Sequence, residues 1–141
     1  MGKILGVDFG EVRTGLAITD QLHIIASPYK TLKPKNLDQL IYELKNIIEL
    51  EKVEKIVVGL PIGTSGKDTK RTKITRKFIK KLTSSIDQSV ETMDERYSSN
   101  EAKRILIKQG IRTGHSKERV DQTAAAIILR RYLDDQTNNY K

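Results

Sequence analysis

Two short apolar runs on either side of an amphipathic stretch constrain this chain more than any other feature. Ile4-Leu5-Gly6-Val7 stops at Asp8-Phe9-Gly10, and Ile56-Val57-Val58 stops at Gly59-Leu60-Pro61. Runs this short, apolar throughout and ended by turn residues, read as buried strands at 3–8 and 55–61. Between them Leu37, Leu40, Ile41, Leu44, Ile47 and Ile48 recur at helical spacing, with Asn36 as N-cap and Gln39 three residues on.

The remaining elements follow from the same patterns. Thr14 to Thr19 reads as the hairpin partner of the first strand, turning through Gly10-Glu11-Val12-Arg13. A third strand is expected from His23 to Ala26, with an extension to Thr31, despite Pro28, left open. After a polar, glycine-containing loop, a helix is expected around Thr72 to Leu82 with Ile74, Phe78, Ile79 and Leu82 inward. Ser89 to Asp94 reads as the last strand. Ser98 and Glu101 suggest a capping box for a helix that ends at Gly110, and a final helix is expected from Lys117 to Leu133. The spacing predicts one domain over 1–135 and a frayed tail over 136–141.

An opening meander followed by alternating strands and helices implies an α/β fold. Its sheet is mixed and five-stranded, a three-strand meander plus two parallel strands, with helices on both faces. Parallel strands share a carboxyl edge, where ligands bind. Asp8 and Glu95 both fall at carboxyl ends of expected strands, and Asp121 opens the alanine-rich stretch that follows.

Three acids on one edge suit divalent metal ions. Hard oxygen ligands prefer magnesium or manganese, and two such ions activate water and neutralise the leaving oxygen of a phosphodiester. Without a metal the same carboxylates would repel one another and raise each other's pKa. Side chains alternate along a strand, so only one of Asp94 and Glu95 faces such a site easily; the longer Glu95 is the expected ligand, and Asp94 is read as holding the following turn.

Charge points to the same chemistry. The chain carries 26 basic and 18 acidic residues among 141, a net of +8, which suits a polyanionic partner. The excess is local: Ile62 to Val90 holds eight basic and two acidic residues, and Glu101 to Arg131 eight and three. Lys67, Lys70, Arg71 and Lys73 read either as a basic flap over nucleic acid or as a solvated loop. Arg13 either grips a phosphate or pairs with Asp20 or Glu11. Arg96 either contacts substrate or orients Glu95, and His115 and Tyr97 have ordinary structural readings beside functional ones.

Composition excludes several classes. There is no cysteine, and two histidines are too few for a His-rich zinc site. No apolar run approaches the ~20 residues that span a bilayer. Strand-like sequence begins within three residues of the start, so a cytoplasmic protein without a signal peptide is expected.

The segments Gly6-Val7-Asp8-Phe9-Gly10-Glu11-Val12-Arg13-Thr14-Gly15-Leu16-Ala17, Val57-Val58-Gly59-Leu60-Pro61, Asp94-Glu95-Arg96-Tyr97-Ser98-Ser99-Asn100-Glu101-Ala102 and Asp121-Gln122-Thr123-Ala124-Ala125-Ala126-Ile127-Ile128-Leu129 resemble, in order, four signature blocks of the YqgF/RuvX family. The resemblance covers nearly the whole chain. It implies a ribonuclease H-like fold related to the RuvC resolvases, with Asp8, Glu95 and Asp121 as the acidic metal-binding positions. It also implies a nuclease maturing the 5′ end of 16S ribosomal RNA precursor, with four-way DNA junction resolution as the alternative; a non-catalytic RNA-binding assembly factor is the competing reading of the same residues. Structured RNA, and branched DNA as the second candidate, are the implied partners of a monomer or homodimer. One departure stands out. After Leu60-Pro61 the family continues with a hydrophobic-Asn-Met-Asp-Gly pattern, whereas this chain reads Ile62-Gly63-Thr64-Ser65-Gly66-Lys67. Asp8-Phe9-Gly10 with Gly15 also resembles the first phosphate motif of actin-like ATPases, but those enclose nucleotide between two lobes and this chain is long enough for one.

Overall fold

The computed structural model describes residues 2–63, 65–95, 98–110 and 117–138. The elements run β1 (Lys3–Asp8), β2 (Thr14–Thr19), β3 (Ala26–Leu32), α1 (Leu37–Glu51), β4 (Val53–Leu60), α2 (Lys70–Ser85), β5 (Ser89–Asp94), α3 (Ser98–Lys108) and α4 (Lys117–Asn138). The sheet order is β3-β2-β1-β4-β5. β1, β2 and β3 form the antiparallel meander, and β4 and β5 add in parallel to β1. The expected mixed five-stranded sheet is therefore present, with its parallel carboxyl edge formed by β1, β4 and β5.

Strand alternation sorts the two cores. Leu5, Val7, Leu16, Ile56 and Val58 face α1 and α2, meeting Leu40, Leu44, Phe78 and Leu82. Ile4, Ala17 and Val57 face the other way, onto Ala125, Ile128, Leu129 and Tyr132 of α4. α3 covers the outside of α4 through Ala102 and Leu106. Among the described residues no helix is long and apolar enough to cross a membrane.

Local chemistry sets the boundaries, and several differ from the sequence reading. Asn36 caps α1 by accepting the Gln39 amide at 2.8 Å, while the Gln39 side chain accepts from Lys35 and not from the cap itself. β3 starts at Ala26 and occupies the extension toward Thr31, whereas the segment from His23 is not strand. The Asp20 carboxylate accepts the amides of Leu22, Ile24 and Ile25, and His23 adopts φ 59°, so residues 20–25 form a turn. Pro28 is tolerated within β3 because the strand lies at the sheet edge, and the register slips there.

α2 starts at Lys70, two residues before the expected Thr72. Thr69 and Thr72 cap it reciprocally, and the Thr72 hydroxyl also donates to the carbonyl of Pro61. Its inner face is Thr72, Thr75, Phe78 and Leu82, with Ile74 and Ile79 half-buried. α4 continues to Asn138, past the expected end at Leu133 and into the segment read as a tail. The side chain of Ser98, proposed as a cap, lies outside the described residues.

Close packing of α4 on the sheet depends on a missing side chain. Gly15 of β2 is paired with Asp8, and a Cβ built on it would fall 2.1 Å from the Asp121 carbonyl oxygen. A backbone atom cannot yield as a flexible side chain can. Gly15→Ala should therefore displace the start of α4 and lower stability by about 1–3 kcal/mol. Urea unfolding followed by circular dichroism checks this, with a reduced midpoint as the expected result.

Candidate active site

The site is built at the parallel edge by strand parity. Asp8 has the parity of Ile4, and Glu95 that of Glu91 and Met93, so both acids belong to the sheet face covered by α4. Glu95 is anchored by its own amide, which donates to the Leu60 carbonyl at 3.3 Å. Gly59 leaves room for it, since a Cβ there would lie 2.8 Å from Glu95 Oε2 and 2.4 Å from Ile128 Cδ1. Asp8 and Glu95 are 7% and 9% exposed.

Asp8 Oδ1 and Glu95 Oε1 are buried without a hydrogen-bond partner. Both lie 3.9 Å from the same nitrogen, Nη2 of Arg71. That distance gives charge attraction without hydrogen-bond geometry, so one guanidinium is shared imperfectly between two acids. Arg71 also reaches the Phe9 carbonyl, at 3.4 Å.

Burial raises the Asp8 pKa, opposed by a hydrogen bond with Glu95 and by Arg71. Glu95 is pushed up to about 9 by burial first, then by the negative charge of Asp8 and the hydrogen bond with it. Asp94 adds a smaller repulsion. The pair therefore keeps a proton on Glu95 at neutral pH, the expected response of crowded carboxylates with too little positive charge nearby.

The third acid is close by but otherwise engaged. Asp121 Oδ2 accepts from Arg13 Nε at 2.6 Å, and its charge contributes to raising Asp8. The partner of Arg13 is thus Asp121, 108 positions away, and not Asp20 or Glu11 as sequence proximity suggests. Asp20 is spent on its own turn. Among the described residues, no three His, Cys, Asp or Glu side chains gather closely enough to hold a metal. Asp8 and Glu95 do fit a divalent cation: each offers one unpartnered carboxylate oxygen in a buried, electron-rich position, and hard oxygens suit magnesium or manganese.

The basic residues separate into two groups. Arg71 belongs to the acid pair, a placement that its loop-like surroundings did not reveal; the signal lay in its position one residue inside α2. Lys67, Lys70 and Lys73 are exposed nearby. The divergent loop is braced, with an Ile62–Asp68 bridge, a Gly63-to-Lys67 backbone bond and a two-pronged Asp68–Arg76 pair. Arg96, Tyr97 and His115 lie outside the described residues.

The sheet order with helices on both faces is a ribonuclease H-like fold. The fold likeness extends to solved resolvases. Fowlpox virus resolvase with Holliday junction DNA superposes with a TM-score of 0.59 at 12% identity, covering 95% of this chain and 98% of that one. RuvC from T. thermophilus, also in complex with a Holliday junction substrate, gives 0.55 at 12% identity, covering 97% and 96%. Residues 2–135 match the family described as "RuvX: Holliday junction resolvase". A protein of Maridesulfovibrio salexigens named "Putative pre-16S rRNA nuclease" is 41% identical over 131 residues, 93% of this chain and 97% of its own. One of the same name from Endomicrobium trichonymphae is 37% identical over 139 residues, 98% and 99% of the two chains. The chain belongs to the RuvX family.

The proton held on Glu95 has a consequence for stability. Its folded pKa of about 9 lies above the ordinary 4.5, so the folded protein binds the extra proton between those values. This contribution is fully present below about pH 4.5 and is lost as pH rises through about 9. In chelator, wild type should lose more melting temperature than Glu95→Gln between pH 6 and pH 9; parallel slopes would exclude the buried proton.

Proposed function

We propose that this chain is a divalent-metal-dependent endonuclease that cuts phosphodiester bonds in structured nucleic acid, with the 5′ end of 16S ribosomal RNA precursor as substrate. The observation that carries the reading is the pair of unpartnered, buried oxygens on Asp8 and Glu95 at the parallel sheet edge. The relatives named for pre-16S rRNA support the substrate, and the net charge of +8 supports a polyanion.

Asp8 and Glu95 would hold Mg2+ or Mn2+, with Asp121, paired with Arg13 at the start of α4, as the third acid that would have to move toward them. Such an ion, when bound, lowers the pKa of the attacking water and neutralises charge on the phosphate. Glu95 must release its proton to become a ligand, so metal binding and deprotonation are linked. Arg13 holds Asp121 oriented, at 2.6 Å. Arg71, attracted to both acids but hydrogen-bonded to neither, is free to turn its fork toward a phosphate once the acids have another cation. Lys67, Lys70 and Lys73 supply phosphate contacts from the edge of the site, a role that the sequence extends to Arg96.

A four-way DNA junction is the second reading, favoured by the fold likeness to resolvases. Cleavage of end-labelled 16S precursor RNA and of a labelled four-way junction, with manganese, magnesium or chelator, separates the two. RNA cuts that require metal and fall at least ~100-fold in Asp8→Asn, with the variant still folded, are expected. Preference for the junction would transfer the reading to resolvase. Binding of both polymers without cleavage would make the chain an RNA-binding assembly factor.

A further inference from the structure

α2 carries seven basic residues and no acidic one over Lys70–Ser85. Its packing partner α1 has the opposite balance, four acids against one lysine over Leu37–Glu51. The two helices cover the same sheet face, so the charge is a property of α2 and not of that side of the molecule. Its placement also works against the helix. Lys70, Arg71 and Lys73 occupy the first turn, where the backbone dipole favours acids, and no acid is there. Helix stability does not account for this arrangement.

Three of the seven cations are engaged: Arg71 with Asp8 and Glu95, Arg76 with Asp68, and Lys81 with Asp38. Lys70, Lys73, Lys77 and Lys80 are exposed and pair with no described residue. Their spacing of three, four and three residues places them within an arc of about 80° on the helix, opposite the buried face of Thr72, Thr75, Phe78 and Leu82. The row is ~15 Å long and begins in the turn that carries Arg71 to the acid pair.

We propose that this lysine row is a track for the sugar-phosphate backbone of a duplex arm running away from the cleavage site along α2. Lys77 and Lys80 thereby join Lys70 and Lys73 as substrate contacts. At roughly 3.4 Å per base step, the row spans about four steps of one strand. Lysine suits this task because a flexible point charge follows a backbone without reading sequence. The inference rests on the nuclease reading for its polymer, but its test does not depend on cleavage.

The test is the salt dependence of binding to an RNA duplex of about 20 base pairs in chelator, for the full chain and two doubly substituted forms. Lys77→Gln/Lys80→Gln should reduce the log–log salt slope by about 1.4–1.8, as two released phosphate contacts require. Lys30→Gln/Lys45→Gln removes the same charge from β3 and α1 and should leave the slope nearly unchanged. Equal changes in the two forms, no change in the first, or no duplex binding by wild type would overturn the track. If thermal melting shows the first form to be impaired, Lys77→Arg/Lys80→Arg, which keeps the charge, must retain the wild-type slope. Binding with the predicted slopes but no metal-dependent cutting would defeat the nuclease reading alone. Cutting with unchanged slopes would defeat the track alone.

Discussion

Two carboxylates buried against one another make the parallel edge of this sheet costly, and the surrounding elements answer that cost. A buried acid lacking hydrogen bonds keeps its charge only if positive charge is near. Arg71 arrives from one face of the sheet, at 3.9 Å from both acids, and satisfies neither completely. Glu95 retains a proton in consequence, with its pKa at about 9. An edge arranged only for stability would pair these oxygens or replace the acids with apolar groups. This one keeps an incompletely neutralised pair at the position where α/β sheets bind ligands.

The third acid shows how closely this edge is packed. Asp121 comes within reach of Asp8 because α4 approaches β2 so nearly that Gly15 cannot carry a side chain. The same approach turns Asp121 toward Arg13, which leaves the short β1–β2 turn to meet it. Gly59 makes a corresponding space for Glu95. Two glycines on two strands thus set the positions of two acids, and the helix between them is held by alanines that allow the same intimacy with the sheet.

Much of this was legible in the chain because it rests on local periodicity. Buried strands, the α1 stripe and its Asn36 cap, and the placement of Asp8 and Glu95 at strand ends each follow from residues adjacent in sequence. The errors share a cause as well. Asp20 diverts residues 20–25 into a turn by accepting three backbone amides, so β3 occupies the extension past Pro28 and not the segment from His23. Arg71 looked like one more cation of a basic loop, because helix capping by Thr69 and Thr72 was a weaker signal than the run of lysines around it. For Arg13 the sequence offers a phosphate or the neighbouring Asp20 and Glu11, whereas its partner Asp121 lies across the fold.

By itself, the sequence determined which segments become strands and helices, which residues end the parallel strands, and that the basic charge gathers on particular segments. Those properties depend on alternation, caps and turn residues within a few positions of one another. Only the tertiary structure decided that Asp8 and Glu95 share a buried edge with one arginine between them, that Asp121 is held by Arg13, and that four lysines of α2 stand in a row clear of the acidic helix beside it. Electrostatic energies depend on separation and burial, and both are set by chain segments tens of residues apart meeting in space.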